Sequence, residues 1–306
     1  MRWTTADETG DGLFSVMELF DGDYSSGRMT QLEFLPVLAR TVLNHVPSSP
    51  AGFRWTINAY RGCSHACRYC FARPTHEYLG LSAGEDFDRK IVVKVNAVDV
   101  VRAELADPRW QRERVAMGTN TDPYQRAEAK FRLTRGIIAA LTDARTPFSV
   151  LTKSPLVTRD LDLLTAAARV VPVSVSFSIG TVDEDVWRVT EPGSPHPLRR
   201  VDAMRAMVEA GIETGALVAP ILPGLSDRRD QIEQTVAAIR GAGGRVIGST
   251  TLYLRGATRE HFLAWLRGHD AALYQRYLRA YGSGDKISGQ YREWVRDAIA
   301  RAIAQP

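Results

Sequence analysis

The chain has 306 residues, and its 39 Lys and Arg against 35 Asp and Glu give a formal net charge of +4. Hydrophobic residues make up 44% of the sequence, close to the globular norm, which excludes an intrinsically disordered chain. A chain of this length buries enough surface to fold without disulfide bonds or structural metals, and with only three cysteines it is not a disulfide scaffold.

The sequence predicts neither a membrane span nor a secretory signal. It contains no run of about 18 uncharged apolar residues, which is the length a membrane-spanning helix needs. Its first residues, MRWTTADETGDG, lack the apolar core of a signal peptide. We therefore expect a cytoplasmic protein with no membrane partner, in which clustered cysteines serve as metal ligands or redox groups.

Residues 1–52 are predicted to form an N-terminal extension. Thr30 and Glu33 have the spacing of a capping box, which predicts a helix that runs to about Asn44. The prolines at 47 and 50 then indicate a break in the chain before the next element.

Residues 53–255 alternate between short β-rich segments and segments with helical spacing. Ser194 and Pro195 are predicted to begin one helix and Asp227 to begin the next, with Gly211 and Gly241 after their ends. The six β-rich segments are residues 53–60, 115–119, 148–152, 173–178, 214–219 and 246–253. This alternation predicts an α/β fold, a partial (β/α)6 barrel, followed by a C-terminal helical segment at residues 256–306. Functional groups are expected at the carboxyl ends of the strands.

All three cysteines follow the first predicted strand, as Cys63, Cys67 and Cys70 in a CxxxCxxC spacing. Three thiolates on one loop can hold three irons of a [4Fe–4S] cluster, and the chain has no fourth cysteine to close the last iron. One iron is then open for chemistry. The alternative is a zinc site completed by His65, although zinc sites usually combine two separated ligand pairs.

The cysteine motif, with Tyr69 directly before its last cysteine, resembles the signature of the radical S-adenosylmethionine (SAM) superfamily. Four segments extend the resemblance to the spore photoproduct lyase-related, DNA repair photolyase-like branch, and within it to an actinobacterial-type subgroup: YRGCSHACRYCFAR at 60–73, TNTDPYQ at 119–125, TKS at 152–154 and PILPG at 220–224. The resemblance implies that SAM binds the open iron and is reductively cleaved to a 5′-deoxyadenosyl radical, which abstracts hydrogen from a substrate. It also implies a one-electron donor such as a flavodoxin or ferredoxin.

The resemblance also assigns SAM contacts to the other strand ends. These predicted contacts are Thr119, Asn120, Thr121, Asp122, Lys153, Ser176, Ser178, Pro220 and Ile221. Thr121 or Asp122 would accept from the SAM ammonium, Lys153 would face its carboxylate, and Pro220 and Ile221 would line the adenine. Each has a simpler interpretation: a proline-containing turn at 119–123, a lysine at the surface, and core packing at 220–221. Glu191, after the fourth strand, has two interpretations: it contacts ribose or substrate, or it is an ordinary loop residue.

The substrate and the hydrogen donor stay open at this point. Spore photoproduct lyase uses an additional cysteine to return hydrogen, and this chain has none, so that mechanism is not expected; Tyr124 is a candidate catalytic residue. Residues 255–306 carry nine Lys and Arg against five Asp and Glu, which favours a nucleic-acid substrate, or else is a solvated helix face. A small molecule or peptide is the alternative substrate. A non-enzymatic iron–sulfur protein that binds nucleic acid or senses redox state is the alternative of another class.

Overall fold

The computed structural model describes residues 3–5, 32–47 and 52–305. In chain order its strands are β1 (Trp3–Thr5), β2 (Glu33–Ala39), β3 (Leu43–His45), β4 (Trp55–Ile57), β5 (Tyr60–Arg61), β6 (Lys90–Lys94), β7 (Val115–Met117), β8 (Phe148–Thr152), β9 (Val173–Ser178), β10 (Glu213–Ile221) and β11 (Arg245–Thr251). Its α-helices are α1 (Glu85–Arg89), α2 (Ala97–Leu105), α3 (Arg126–Phe131), α4 (Leu133–Asp143), α5 (Leu161–Ala168), α6 (Glu184–Thr190), α7 (Pro197–Glu209), α8 (Arg229–Gly241), α9 (Gly256–His269), α10 (Ala271–Tyr281) and α11 (Gly289–Ala304). Two 3-10 helices lie at Arg73–Leu79 and Pro155–Asp160.

The larger sheet has the strand order β11-β10-β9-β8-β7-β4-β3. Every neighbouring pair from β4 to β11 is parallel, and only β3 at the edge runs antiparallel. Helices connect these six parallel strands, so their carboxyl ends meet at one side of the sheet. This confirms the predicted α/β fold with a partial (β/α)6 barrel.

The two faces of this sheet differ in burial. In β9 the side chains of Val173, Val175 and Phe177 are buried, whereas the serines between them are only partly buried. The apolar face packs against the surrounding helices and belongs to the main hydrophobic core. The serine-bearing face lies on the other side of the sheet, and its last residue, Ser178, lines a cavity.

The helix predicted from Thr30 to Asn44 is wrong, although Thr30 itself lies outside the described residues. Residues 33–39 form β2, which pairs in parallel with β6, and residues 43–45 form β3. Pro36 explains the failure, because a proline inside a helix removes a hydrogen bond and clashes with the preceding turn. In β2 it is tolerated, since β1 pairs only with residues 37–39.

The predicted starts of two helices also need correction. His196 caps α7, with its Nδ1 accepting from the backbone N–H of Leu198 at 3.2 Å, while Ser194 lies in the loop before it. Helix α8 begins at Arg229, and Asp227 instead accepts from the backbone N–H of Gly224 at 2.8 Å.

The C-terminal helices α9, α10 and α11 follow β11, as expected. Residues of α9 and α10 form a second apolar cluster with the cysteine loop, in which Phe262 and Tyr277 pack together with Cys67, Tyr69 and Leu252. Among the helices of the described residues, none has the length and apolar character needed to cross a membrane.

Candidate active site at the carboxyl ends of the strands

The cysteine loop begins with a glycine that no other residue can replace without movement. Gly62 has a φ of +77°, and a Cβ there would lie 2.8 Å from the His76 ring and 2.9 Å from the Phe87 carbonyl oxygen. The next residue, Cys63, donates its backbone N–H to that same carbonyl oxygen at 2.9 Å. The loop is therefore pressed against the segment that precedes β6.

The three thiols face one cavity. Cys63 and Cys67 are buried, Cys70 is partly buried, and none forms a disulfide. Burial raises the pKa of all three thiols, and at Cys63 the negative charges of Asp122 and of the other two cysteines raise the pKa further. Three sulfur atoms that repel one another as thiolates would be stabilised by a cationic partner, and iron is one that thiolates bind well.

The geometry fits an iron–sulfur cluster better than one zinc ion. Over residues 32–47 and 52–305, no three His, Cys, Asp or Glu side chains surround a point where one metal ion could be held. His65, the fourth ligand of the zinc alternative, has its Nδ1 3.4 Å from an Asp122 oxygen. In a [4Fe–4S] cluster each cysteine binds a different iron, so the sulfur atoms need not converge on one point.

The cavity has a volume of about 330 Å³ and lies at the carboxyl ends of the parallel strands. Besides the three cysteines, its lining includes these residues predicted as SAM contacts: Thr119, Asn120, Thr121, Asp122, Lys153, Ser178 and Pro220. Ser176 and Ile221, which were also predicted, do not line it. Ser176 lies two residues deeper in β9, and Ile221 is fully buried in the core.

The segment at 119–125 is joined to the cysteine loop by side-chain hydrogen bonds. The Thr121 hydroxyl donates to the Gly62 carbonyl oxygen at 2.6 Å, and the Gln125 amide donates to the same oxygen at 3.0 Å. The Gln125 carbonyl oxygen in turn accepts from the backbone N–H of Ser64 at 3.0 Å. This segment therefore both lines the cavity and fixes the loop that carries the thiols.

Asp122 forms hydrogen bonds mainly with other residues of the chain. Its Oδ1 accepts from the backbone N–H of Tyr124 at 2.8 Å and from the Thr152 hydroxyl at 2.6 Å, and its Oδ2 accepts from the backbone N–H of Lys153 at 2.7 Å. The carboxylate thus ties the end of β7 to the end of β8. These three hydrogen bonds occupy much of the acceptor capacity of the carboxylate, so less of it is available to the SAM ammonium, the partner expected from the sequence.

Lys153 reaches from the end of β8 to a buried network. Its Nζ donates to the Tyr69 hydroxyl at 3.1 Å, to the Ser178 hydroxyl at 3.0 Å and to Glu191 Oε1 at 2.9 Å. Glu191 is also paired with Arg200, which is almost completely buried. Burial alone raises the pKa of the Glu191 carboxyl, but Arg200 and Lys153 outweigh burial and lower it well below its usual range.

Tyr124, the candidate catalytic residue, does not line the cavity. Its side chain is buried in the main core, and its hydroxyl donates to Asp160 Oδ2 at 3.1 Å. Tyr60 is placed similarly, with its hydroxyl donating to Glu128 at 2.5 Å. The turn that brings Asp122 to the cavity directs Tyr124 into the core.

Sequence reasoning missed one wall of the cavity and part of its rim. Residues 250–253 at the end of β11 line the wall, and the Tyr253 hydroxyl donates to Asp285 at 2.5 Å. Phe71, directly after the last cysteine, lines the rim and is 65% exposed. The available sequence signal is an aromatic residue directly after the last cysteine, but the sequence does not show that its side chain is exposed.

The chain is similar to known proteins in sequence and in fold. The chain is 46% identical over 275 residues to an uncharacterized protein of Mycobacterium tuberculosis, covering 90% of this chain and 81% of that protein. It is 31% identical over 198 residues to an uncharacterized protein of Methanocaldococcus jannaschii, covering 65% and 71%. Its fold matches spore photoproduct lyase with bound AdoMet and dinucleoside spore photoproduct, with a TM-score of 0.61 and 17% identity over 86% of this chain and 76% of that one. The family model of the radical SAM superfamily matches residues 57–236. The chain therefore belongs to the radical SAM superfamily.

Proposed function

We propose that this radical SAM enzyme binds a [4Fe–4S] cluster through Cys63, Cys67 and Cys70 and uses it to cleave SAM reductively. The observation that carries the proposal is that the three thiols share one cavity with the polar ends of the parallel strands. A [4Fe–4S] cluster with one iron open to SAM supplies the electron that splits SAM and so starts hydrogen abstraction from a substrate. The proposal includes an external one-electron donor, such as a flavodoxin or ferredoxin.

The protein's own residues would bind and orient SAM. Lys153 provides a positive charge opposite the SAM carboxylate, and Ser178 offers a hydroxyl beside it. Backbone carbonyl groups of residues 119–121 and the Thr119 hydroxyl would accept from the SAM ammonium, since these residues line the cavity. Pro220 and Leu217 contribute apolar surface, with Leu252 beside them at the end of the neighbouring strand, and these residues would exclude water from the reacting groups.

Electron paramagnetic resonance (EPR) distinguishes this enzyme from a redox sensor. After anaerobic reconstitution and reduction, addition of SAM is expected to change the EPR signal of the cluster, because SAM occupies an iron. A signal that is identical with and without saturating SAM, in protein that holds four irons per chain, would contradict the proposal and favour a structural or sensing cluster.

We further propose that the substrate is a nucleic acid that presents one nucleotide at the cavity mouth. The cavity volume of about 330 Å³ is at the low end of small-molecule sites, which span ~300–1,000 Å³. A cluster and SAM inside it leave little room for an enclosed second substrate. Tyr253 on the wall and Phe71 on the rim provide aromatic surface for a base.

Positive charge lies next to this mouth. Lys286 has its Nζ 5.7 Å from the centre of the Tyr253 ring, and Arg255 follows Tyr253 by two residues. The nine basic residues of this segment are Arg255, Arg259, Arg267, Arg276, Arg279, Lys286, Arg292, Arg296 and Arg301. Among the ion pairs of the described residues, only Arg296 of these nine takes part. A hydrogen bond from Tyr253, together with the charges of Lys286 and Arg255, lowers the pKa of the Asp285 carboxyl, so this carboxylate offsets part of the charge beside the mouth. The excess of basic over acidic residues in the segment leaves further positive charge for contacts with phosphates.

Binding of fluorescent oligonucleotides at a series of salt concentrations tests this part. We expect affinity for single-stranded or duplex DNA or RNA to fall steeply with salt. Lys286→Ala and Arg255→Ala should each weaken binding and reduce the salt slope by ~0.7–0.9, the contribution of one phosphate contact. Arg301→Ala is the matched control, because the end of α11 lies beside Arg240 at the end of α8, away from the cavity. Binding that is absent or independent of salt would favour a small molecule or peptide.

A further inference from the structure

Residues 190–194, from the last residue of α6 into the loop before α7, contact the cysteine loop directly. The carbonyl oxygen of Thr190 accepts from the backbone N–H of Arg68 at 2.9 Å, and the backbone N–H of Gly193 donates to the carbonyl oxygen of His65 at 3.1 Å. Gly193 approaches so closely that a Cβ there would lie 2.2 Å from the Ser64 carbonyl oxygen. The segment therefore fixes the part of the loop between Cys63 and Cys70.

Glu191 extends this contact from the loop to the strand ends. Its Oε1 accepts from Lys153 Nζ at 2.9 Å and from the Tyr69 hydroxyl. Its Oε2 accepts from the Ser194 hydroxyl at 2.8 Å and from the Arg200 guanidinium. Glu191 is 5% exposed and is not part of the cavity lining, so its carboxylate does not contact a ligand there.

Lys153 donates all three N–H groups of its ammonium within this network, so it would attract a ligand by its charge and not by a further hydrogen bond. Arg200 pairs with Glu191 and also donates to the carbonyl oxygens of Ser178 at 3.0 Å and Pro195 at 2.8 Å. One carboxylate therefore faces two cations, and only Lys153 among the two lines the cavity. An anionic group in the cavity would balance the remaining positive charge.

Without Glu191, the Lys153 ammonium would keep only two neutral partners, the hydroxyls of Tyr69 and Ser178. Hydrogen bonds to a charged partner are about twice as strong as neutral ones, and a lysine side chain is otherwise flexible. Tyr69 precedes Cys70 directly, and the Lys153 Nζ also lies 5.5 Å from the centre of its ring. Glu191 thus sets how far Lys153, directly after β8, lies from the cysteine loop.

We infer that Glu191 is a positioning residue that holds Lys153 and Tyr69 in fixed relation to the cysteine loop and thereby sets the affinity of the cavity for the carboxylate of SAM. This inference rests on the proposed function. Glu191 acts through Lys153 and makes no contact with ligand or cluster, in contrast to the ribose or substrate contact considered from the sequence.

The test is an EPR titration of reconstituted, reduced protein with SAM, compared between wild type and Glu191→Gln. We expect the variant to keep its iron content and its EPR signal without SAM. The SAM concentration at half-saturation should rise about tenfold, a factor that corresponds to ~1.4 kcal/mol. Glu128→Gln is the matched control: Glu128 is also buried and bound by a tyrosine hydroxyl and an arginine, yet it lies outside the cavity lining. It should leave half-saturation unchanged.

A double-mutant cycle with Lys153→Met shows whether Glu191 acts through the lysine. The double variant Glu191→Gln, Lys153→Met is expected to bind SAM no more weakly than Lys153→Met alone. Additive effects, or an unchanged half-saturation in Glu191→Gln with full iron content, would overturn the inference.

Glu191→Gln leaves Arg200 as a buried charge without its carboxylate partner, and the variant could lose iron for that reason. A second variant keeps the test valid in that case. Tyr69→Phe removes only the hydroxyl between Glu191 and Lys153, and it should raise half-saturation severalfold with full iron content. An unchanged half-saturation in Tyr69→Phe would then overturn the inference. If wild type with four irons shows no response to SAM at all, the proposed function fails, and that outcome is distinct from any difference between variants.

Discussion

Arg73 donates from both Nε and Nη2 to the carbonyl oxygen of Cys67, at 3.2 and 2.9 Å. The side chain is completely buried, pairs with Asp88 at 2.8 Å, and donates to the carbonyl oxygens of Ala83 and Gly84, each at 3.0 Å. One guanidinium therefore joins the middle cysteine of the loop to the segment before β6.

Replacement of Arg73 should increase the rate at which iron is lost, while the protein stays folded. Arg73→Lys keeps the charge but cannot make this set of hydrogen bonds, because an ammonium lacks the planar arrangement of five donors. We expect anaerobic release of iron to a chelator to be at least several times faster than in wild type. Arg135→Lys is the control, since Arg135 is a partly exposed arginine paired with Asp160 and Asp162. Equal release rates in all three proteins would show that Arg73 does not stabilise the loop.

Gly193→Ala should prevent stable cluster binding. The added Cβ would lie 2.2 Å from a backbone carbonyl oxygen of the cysteine loop, so the loop or the 190–194 segment must move. Iron and sulfide analysis after reconstitution is expected to show a large loss. Gly268→Ala in α9 is the matched control, because its Cβ meets nothing within 4 Å. That control should bind iron normally and be more stable by ~0.5–1 kcal/mol, as alanine favours a helix. Normal iron content in Gly193→Ala would contradict the close contact.

The lowered pKa of His261 predicts that the free energy of unfolding decreases in mild acid. Burial, and then the charges of Arg73 and Arg68, lower its pKa from 6.5 to about 4. Between these values the unfolded chain binds a proton that the folded chain does not, so stability falls as the pH drops from about 6.5 towards 4. Urea unfolding at pH 7 and pH 5 measures this effect. His261→Gln should show a smaller pH dependence than wild type, and the same dependence in both would rule out the assigned pKa.

The regular part of the fold follows from local patterns. Residues 148–152 and 173–178 form strands with the predicted bounds, because buried and partly buried side chains alternate along short β-rich segments between clear turns. The predicted helix at 30–44 failed because pairing of β2 with β6, which lies more than 50 residues away in sequence, outweighs a local capping signal. Strand β6 itself was not predicted at all.

The cysteines and most predicted SAM contacts reach one cavity because they follow neighbouring parallel strands. The side of a turn on which a side chain lies is harder to predict. Tyr124 is therefore expected at the cavity from its sequence position, yet its side chain is buried in the core. The roles of Glu191 and Arg73 depend on partners in distant segments, such as Arg200 and the carbonyl oxygen of Ala83. No spacing in the sequence reports such contacts.

Formation of 5′-deoxyadenosine from SAM is the measurement that tests the proposed chemistry most directly. Anaerobically reconstituted protein is mixed with dithionite and SAM, and the product is quantified by chromatography. We predict product in wild type and only background product in Cys63→Ala, Cys67→Ala and Cys70→Ala, each of which lacks one iron ligand. Undiminished product in any of these variants would contradict the role of the three thiols. Its absence from wild type with four irons per chain would contradict reductive SAM cleavage.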